Sequence, residues 1–278
     1  AQSIGGGGGY ISAPATSLSA ATLPSAGNNQ SAGGPININF ASYGNAGIFT
    51  SGNGAWGILA QSIGGGGGFI GDPTFSLNAV PSANNKSATQ TSGLANGGAI
   101  TIALGQPGNG YQPNIVTNGI NAHGIVAQSV GGGGGIANAG NPVIGTTSSP
   151  TPSGFGNGSG GPINISIAQN ASVTTYGPNS AGIFAQSTGN MASSAPITMN
   201  IDGMVAVYNA NNPTPLPAAP SPVAIMISGG STNASNPNTV TIGVNGRVST
   251  GNAPYGTGIV SDFGCTNVIN NGSLQGSI

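Results

Sequence analysis

A short segment that ends in five consecutive glycines occurs three times in this chain, and it restricts the possible folds more than any other feature. Each copy reads Ala-Gln-Ser-Ile or Ala-Gln-Ser-Val before the glycines, and the copies begin at Ala1, Ala60 and Ala127. An altered fourth copy, Ala-Gln-Ser-Thr-Gly, begins at Ala185, so subtracting consecutive starts gives spacings of 59, 67 and 58 residues. A period of this length is typical of one supersecondary unit stacked on itself rather than of a single globular core.

The composition favours an ordered chain despite its many glycines. Glycine and proline contribute 53 and 20 of the 278 residues, but they separate runs of β-branched residues. Disordered chains usually combine high net charge with few apolar residues. This chain has a net charge of −1 and 37% hydrophobic residues, so we expect it to fold.

Charged side chains are almost absent, which excludes several function classes. They make up 2% of the residues, against about 25% in ordinary soluble domains. Lys86 and Arg247 cannot form a basic patch, so we expect neither nucleic acid nor anionic lipid as a partner. No apolar run reaches the roughly 18 residues that a membrane-spanning helix needs. Because near-neutral surfaces promote association, the composition favours a protein fixed in place on a cell surface, in a matrix or in a fibre.

Short runs with alternating apolar residues recur upstream of each Ala-Gln-Ser segment and predict β-strands. Each series has three runs of four to six residues, bounded by Gly, Asn or Pro. The runs of the first three series are 35–40, 46–50 and 57–62; 99–104, 114–117 and 124–129; and 162–167, 172–175 and 182–187. Later runs are 197–201, 204–207, 223–228, 240–244, 246–250 and 258–261, and residues 267–274 predict a further coil that is cut short.

Three short strands per repeat, with no helical period, predict an all-β fold: a right-handed parallel β-solenoid (β-helix) of about five coils. Stacked coils pair about 4.8 Å apart and together bury an apolar column that one coil could not bury. Residues 1–190 form pentaglycine-repeat coils with long Ser-, Thr-, Pro- and Asn-rich loops, and residues 191–278 continue the solenoid without pentaglycine. The loops are predicted at 10–34, 69–98 and 136–161 and leave the column at one corner, so they decorate one face.

The repeated segment itself is predicted to be a structural corner. Glycine loses more conformational entropy on ordering than other residues, so five in a row indicate positive φ or close backbone approach. We expect a sharp corner leading into each loop, and a smooth surface for lateral contact is the alternative. Stacked Gln2, Gln61, Gln128 and Gln186 are predicted to form an amide ladder.

No catalytic, cofactor or metal site is predicted. The single histidine, His123, precedes a glycine and is expected at an exposed corner, without a nearby carboxylate to make it a base. Asp72, Asp202 and Asp262 lie in separate segments, whereas a glycosidase needs two carboxylates within about 10 Å. Cys265 has no second thiol for a disulfide or a zinc site. The chain is therefore predicted not to be an enzyme.

Two further sets of residues have plain interpretations. Trp56, Tyr43, Tyr111 and Tyr176 are expected to pack at core edges, with stacking on sugars or neighbouring filaments as the alternative. Sequons for N-glycosylation at Asn29, Asn85, Asn157 and Asn233 are attributed to the abundance of Asn and Ser.

The unit Gly-Ile-Leu-Ala-Gln-Ser-Ile plus five glycines at 57–68, and its counterpart at 124–135, resemble a repeat of bacterial autotransporter passenger domains. The resemblance covers residues 1–190 well and the rest loosely. It implies a surface-exposed β-solenoid outside the bacterial outer membrane, anchored by a C-terminal β-barrel. No set of barrel strands closes this chain, and its loops carry less charge than is usual in that family.

Two functions remain open at this point. The first is a non-enzymatic extracellular structural protein that associates with itself, end to end, into a surface or biofilm-matrix filament. For that assembly, Ile278 of one copy is predicted to lead into Ala1 of the next, so that 276–278 followed by Ala1 imitates 57–60. The second is an adhesin that contacts cell surfaces or glycans through the loop face.

Overall fold

The computed structural model describes residues 1–5, 8–11, 31–40, 47–65, 67–70, 95–106, 108, 112–132, 134–137, 158–189, 194–208, 222–251 and 256–278. All regular elements in these ranges are β-strands, and every strand pair is parallel. The predicted loops at 10–34, 69–98 and 136–161 lie largely outside the described residues, as do residues 209–221. In the part of the chain that the structure describes, no helix is long and apolar enough to cross a bilayer.

Three six-stranded parallel sheets run the length of the molecule and confirm the solenoid prediction. Sheet A holds β3 (Ile36–Phe40), β7 (Ile100–Leu104), β11 (Ile163–Ile167), β14 (Ile197–Ile201), β17 (Asn238–Ile242) and β20 (Thr266–Asn270). Sheet B holds β4 (Gly47–Thr50), β8 (Asn114–Thr117), β12 (Ser172–Thr175), β15 (Met204–Val207), β18 (Arg247–Ser249) and β21 (Ser273–Gln275). Sheet C holds β1 (Gln2–Ile4), β5 (Ile58–Ile63), β9 (Ile125–Val130), β13 (Ala181–Thr188), β16 (Val223–Gly229) and β19 (Thr257–Asp262). Each coil passes through sheets A, B and C in that order, which makes five complete coils with partial coils at both ends.

The register places like residues above one another, and this explains why alternating isoleucines are enough to specify the column. In sheet A, one inward row runs from Ile38 through Ile102, Ile165, Met199 and Val240 to Val268. Its middle members are fully buried, whereas the first and last are partly exposed and pack against the core. β-Branched side chains suit this half-buried pleated surface. A slip of one residue would turn every isoleucine outward, so burial also fixes the register.

The last glycines of each run form strands, which the sequence interpretation did not predict. β2 (Gly8–Ile11), β6 (Gly67–Ile70) and β10 (Gly134–Ala137) pair in register as a fourth, three-stranded sheet, sheet D. β10 lies beside β5 and β9 of sheet C. The predicted loops therefore begin two residues later than expected, because residues 10–11, 69–70 and 136–137 belong to sheet D. Glycine is normally depleted in strands, so local preference argues against these elements and pairing with the neighbouring coils decides them.

The turn between sheets B and C depends on residues in the left-handed region. Gly54, Asn121 and Asn179 occupy it with φ of 66°, 56° and 57°. The amide of Gly54 donates to Ile120, and the amide of Asn121 donates to Pro178, so each turn is bonded to the next coil. Glycine and asparagine tolerate this conformation best, which explains their recurrence before each Ala-Gln-Ser strand.

Candidate functional site

The four glutamines form a continuous hydrogen-bonded ladder on sheet C, as predicted. The side-chain amide of Gln2 donates to Gln61, Gln61 donates to Gln128 at 2.7 Å, and Gln128 donates to Gln186 at 2.7 Å. Gln186 ends the series by donating to the hydroxyl of Ser228 at 3.3 Å. Gln61 and Gln128 are 0% and 1% exposed, so each bond satisfies amide groups that water cannot reach.

The serine of each Ala-Gln-Ser segment joins neighbouring coils, a role that sequence reasoning missed. Ser62 Oγ donates to the carbonyl of Gly34 at 2.8 Å and accepts the amide of Gly98, in the next coil, at 2.9 Å. Ser129 repeats the pattern one coil further, between Gly98 and Gly161. The recurring Gly-Gly pairs before the sheet A strands were the available signal, because these glycines supply the backbone groups that the serines bind.

The first glycine of each run lies against the backbone that returns from the loop it begins. A Cβ atom on Gly64 would overlap the carbonyls of Ala95 and Asn96. A Cβ on Gly131 would overlap the backbone of Gly158 and Ser159 in the same way. The second glycine then turns the chain with positive φ, 81° at Gly65. These glycines confirm the predicted corner, and its physical reason is close backbone approach together with positive φ.

His123 is buried rather than exposed, so the expected exposed corner position is wrong. Its side chain is 0% exposed, and its Nδ1 accepts the backbone amide of Ala181 at 2.8 Å. Because Nδ1 is the acceptor, the ring proton lies on Nε2, which has no partner among the described residues. Burial lowers the pKa of His123 from 6.5 to about 3, so the ring is neutral at ordinary pH. The ring lies 6.5 Å from that of Trp56 and is part of the packing between coils.

The remaining chemically capable side chains are not brought together in the described structure. Asp202 and Arg247 are exposed, Asp262 is half-buried, and Asp72 and Lys86 lie outside the described residues. Cys265 is a free thiol whose sulfur contacts the carbonyl of Thr232 at 3.3 Å. Among the described residues, no three His, Cys, Asp or Glu side chains form a group that could hold a metal ion.

Of the four aromatic residues expected at core edges, Trp56 and Tyr176 are described, and both pack at the edges of coils. Trp56 donates its indole N–H to the carbonyl of Asn121 at 3.1 Å and packs beside Val126 and Phe184. Tyr176 stacks on Tyr208 with ring centroids 5.3 Å apart. Tyr43 and Tyr111 lie outside the described residues.

Of the four loop sequons named above, the one at Asn233 falls in the described structure. Asn233 is exposed in a turn, and its side-chain oxygen accepts the amide of Ser235 at 2.9 Å. Asn29, Asn85 and Asn157 lie outside the described residues.

Both ends of the described column leave core side chains partly uncovered. Ile38, Phe40 and Ile48 at one end, and Val268 and Leu274 at the other, are only partly buried although they pack on the core. A depression of about 450 Å³ opens at the second end, lined partly by Ile259, Val268 and Ile278. The outermost strands also have no neighbour on one side in the described structure. These edges are the surfaces on which a further coil can be built.

The repeats, the ladders and the open edges together describe a structural column and no assembled reaction centre in the described residues. Comparison with protein-family models, with curated proteins and with solved structures finds no match for this chain.

Proposed function

We propose that this chain is a non-enzymatic structural protein of the bacterial cell exterior, a β-solenoid that stacks end to end into a surface or matrix fibre. The observation that carries the proposal is the column itself, in which each coil pairs in register with the next through three parallel sheets, so that a further coil of the same kind can add to it. Unpaired edge strands are templates for further pairing, and solenoid ends usually need a polar cap to prevent it. With a net charge of −1, little electrostatic repulsion opposes contact between copies.

The proposed contact is made by the outermost strands of sheets A and B. At one end of the described column these are β20 and β21, and at the other they are β3 and β4. When two copies of the 278-residue chain stack, β3 and β4 of one pair with β20 and β21 of the other, as neighbouring coils pair within the column.

The predicted join from Ile278 to Ala1 needs a correction of two residues. Ser277 pairs with Thr257, the equivalent of position 56 in the first coil rather than position 58. Ile278 thus stands at the position of Gly57, and Ala1 at the position of Ala60, which leaves two strand positions between them. The end-to-end contact therefore depends mainly on β3 and β4 pairing with β20 and β21.

Electron microscopy and fibre diffraction of the purified 278-residue chain test this proposal. We expect fibres whose width matches one or a few solenoids, with a reflection at about 4.8 Å along the fibre axis. Val268→Lys places a charge in the proposed contact and should abolish fibres while the circular dichroism stays that of a β protein. Asn271→Lys adds the same charge at an exposed turn and should leave fibre formation intact. Monodisperse monomers at all concentrations would contradict the proposal.

An adhesin acting through its loops is the second candidate, and the stacked loop bases favour it. The loop-leaving glycines Gly5, Gly64 and Gly131 recur at one corner, so the three loops leave the column there together. Deleting 12–30, 71–94 and 138–157, while keeping the sheet D strands, should abolish attachment to cells or glycans and preserve the fold. Attachment that survives all three deletions would exclude the loops as the adhesive.

A further inference from the structure

The outer face of sheet A carries two rows of uncharged side chains, and ten of the twelve are short and polar. The first row is Asn37, Thr101, Asn164, Thr198, Thr239 and Asn267, and the second is Asn39, Ala103, Ser166, Asn200, Thr241 and Ile269. All twelve residues are exposed or half-exposed. The rows lie about 7 Å apart across the face, and neighbours within a row are about 4.8 Å apart. We call this surface the Asn/Thr face.

The hydrogen-bonding groups of the Asn/Thr face are not used within the described structure, in contrast to those of the other sheets. On sheet C, Gln61, Gln128 and Gln186 are buried and bond to one another. On sheet B, Ser172 bonds to Asn114, and Ser249 bonds to Gln275. No such bond joins the side chains of the Asn/Thr face to one another or to other described residues. This face therefore presents a regular array of available donors and acceptors.

From this array we infer that the Asn/Thr face pairs with the same face of a second copy, so that solenoids associate side by side. A second copy has the same strand spacing, so equivalent side chains of the two faces lie opposite one another along the whole face. A ligand with a different repeat distance would match only a few of them. Each amide and hydroxyl both donates and accepts, so the face is complementary to itself. Short side chains let two sheets approach to about 10 Å and interdigitate, as in dry interfaces between stacked sheets. The inference extends the proposed fibre and rests on it only for the contact area.

The area of the face determines when this pairing becomes stable. Six strands about 4.8 Å apart and five residues of about 3.3 Å each give a footprint of roughly 450 Å². Two copies together bury roughly 900 Å², which is below the 1,200–2,000 Å² of ordinary stable interfaces. Pairing of single copies is thus weak, but stacking copies end to end multiplies the area on one rigid face. Side-by-side pairing should follow fibre growth and thicken the fibre.

Two lysines on the Asn/Thr face test the inference in the 278-residue chain. Thr101→Lys together with Asn200→Lys places charges on exposed positions of both rows. Because these charges meet like charges across the pairing, the concentration needed for side-by-side association should rise by roughly a hundredfold. The matched control, Ser51→Lys with Ser235→Lys, adds the same charge at exposed turns away from sheet A and should not change it. Sedimentation velocity and the fibre width in electron micrographs are the measurements.

The possible outcomes separate this inference from the proposed fibre. Single-file fibres from the unmodified chain would overturn the inference and leave the fibre intact. Side-by-side dimers without fibres, lost in the sheet A variant alone, would support the inference and contradict the fibre. Because the paired faces are neutral, pairing should persist between low and high ionic strength. Loss of pairing in both variants, or monomers that are retained by an insoluble neutral polysaccharide through this face, would also overturn the inference.

Discussion

At the scale of single residues, the three side chains of the Ala-Gln-Ser segment make three different kinds of contact. Ala127 is fully buried in the column, Gln128 bonds to the glutamines above and below it, and Ser129 bonds to the loop bases. Alternation along the strand places Ala127 and Ser129 on one face and Gln128 on the other. The same alternation lets each residue meet its own copy in the next coil.

Replacing the central glutamine should cost more stability than replacing the first. Gln128→Leu leaves the donor of Gln61 and the acceptor of Gln186 buried without partners, at about 1–3 kcal/mol for each group. Gln2→Leu is the comparison, because Gln2 makes a single bond in the ladder and its loss leaves only the acceptor of Gln61 without a partner. Urea unfolding should show a loss of about 2–5 kcal/mol for the central variant and about half of that for Gln2→Leu. Equal losses would show that the number of groups left without a partner does not set the cost.

The buried histidine predicts a loss of stability in acid. Because the folded-state pKa of about 3 lies below the unfolded value of 6.5, the unfolded chain takes up a proton first as the pH falls. The contribution of His123 is complete above pH 6.5, is lost between pH 6.5 and 3, and falls there by up to about 1.4 kcal/mol per pH unit. His123→Asn keeps an acceptor and removes the titration, so its unfolding free energy should change less over this range. Identical pH profiles for the two proteins would contradict this account.

At the scale of elements, the pentaglycine combines a turn and a strand. Its first two residues make the close approach and the positive φ, and its last two belong to sheet D. In the later coils, Gly229 and Gly230 make the turn with φ of 74° and 76°, without a pentaglycine. There Asn238 accepts the amides of Ile197 and Ser231, so a side chain supplies contacts between coils. The same corner is thus built in two ways.

Adding one methyl group at the turn tests whether glycine is required there because there is no space for a Cβ atom or only because its backbone is flexible. Gly131→Ala forces Cβ into the backbone of Gly158 and Ser159, so we expect a loss of more than about 2 kcal/mol. Gly52→Ala is the control, because its Cβ would meet only Ala55 at an ordinary distance of 3.5 Å. Reduced unfolded-state entropy should make the control neutral or up to about 1 kcal/mol more stable. Thermal unfolding followed by circular dichroism distinguishes the two variants, and equal effects would show that crowding at Gly131 is relieved.

At the scale of the whole molecule, the column is continuous across the boundary predicted between 1–190 and 191–278. Strands β11, β12 and β13 pair in register with β14, β15 and β16, so all three sheets cross this position. Neighbouring coils share backbone hydrogen bonds and a single apolar core. In such an array, stability is approximately the sum of coil and interface terms, and strong interfaces couple the coils.

This continuity predicts that a destabilising substitution in residues 191–278 also lowers the stability of residues 1–190. Ile242→Ala, at a fully buried position of the fifth coil, should cost about 2–5 kcal/mol. Trp56 is the only tryptophan and reports from the first coil. Its fluorescence transition in urea should move together with the circular dichroism transition of the whole chain. A Trp56 transition that does not move would show that the two parts unfold independently.

The sequence by itself determined the repeat unit, the three strands of each coil and the glutamine ladder, because identical residues at a fixed period must stack when a coil cannot bury its apolar face alone. It could not reveal sheet D, the serine contacts or the burial of His123. Glycines have no side chain whose pattern marks a strand, and hydrogen bonds such as that from Ser62 to Gly34 join positions far apart in the chain. His123 is buried because the turns of neighbouring coils close over it, and burial of that kind is a property of stacked coils. Local alternation of apolar residues thus defined the strands of each coil, whereas contacts between coils determined the structure of each corner.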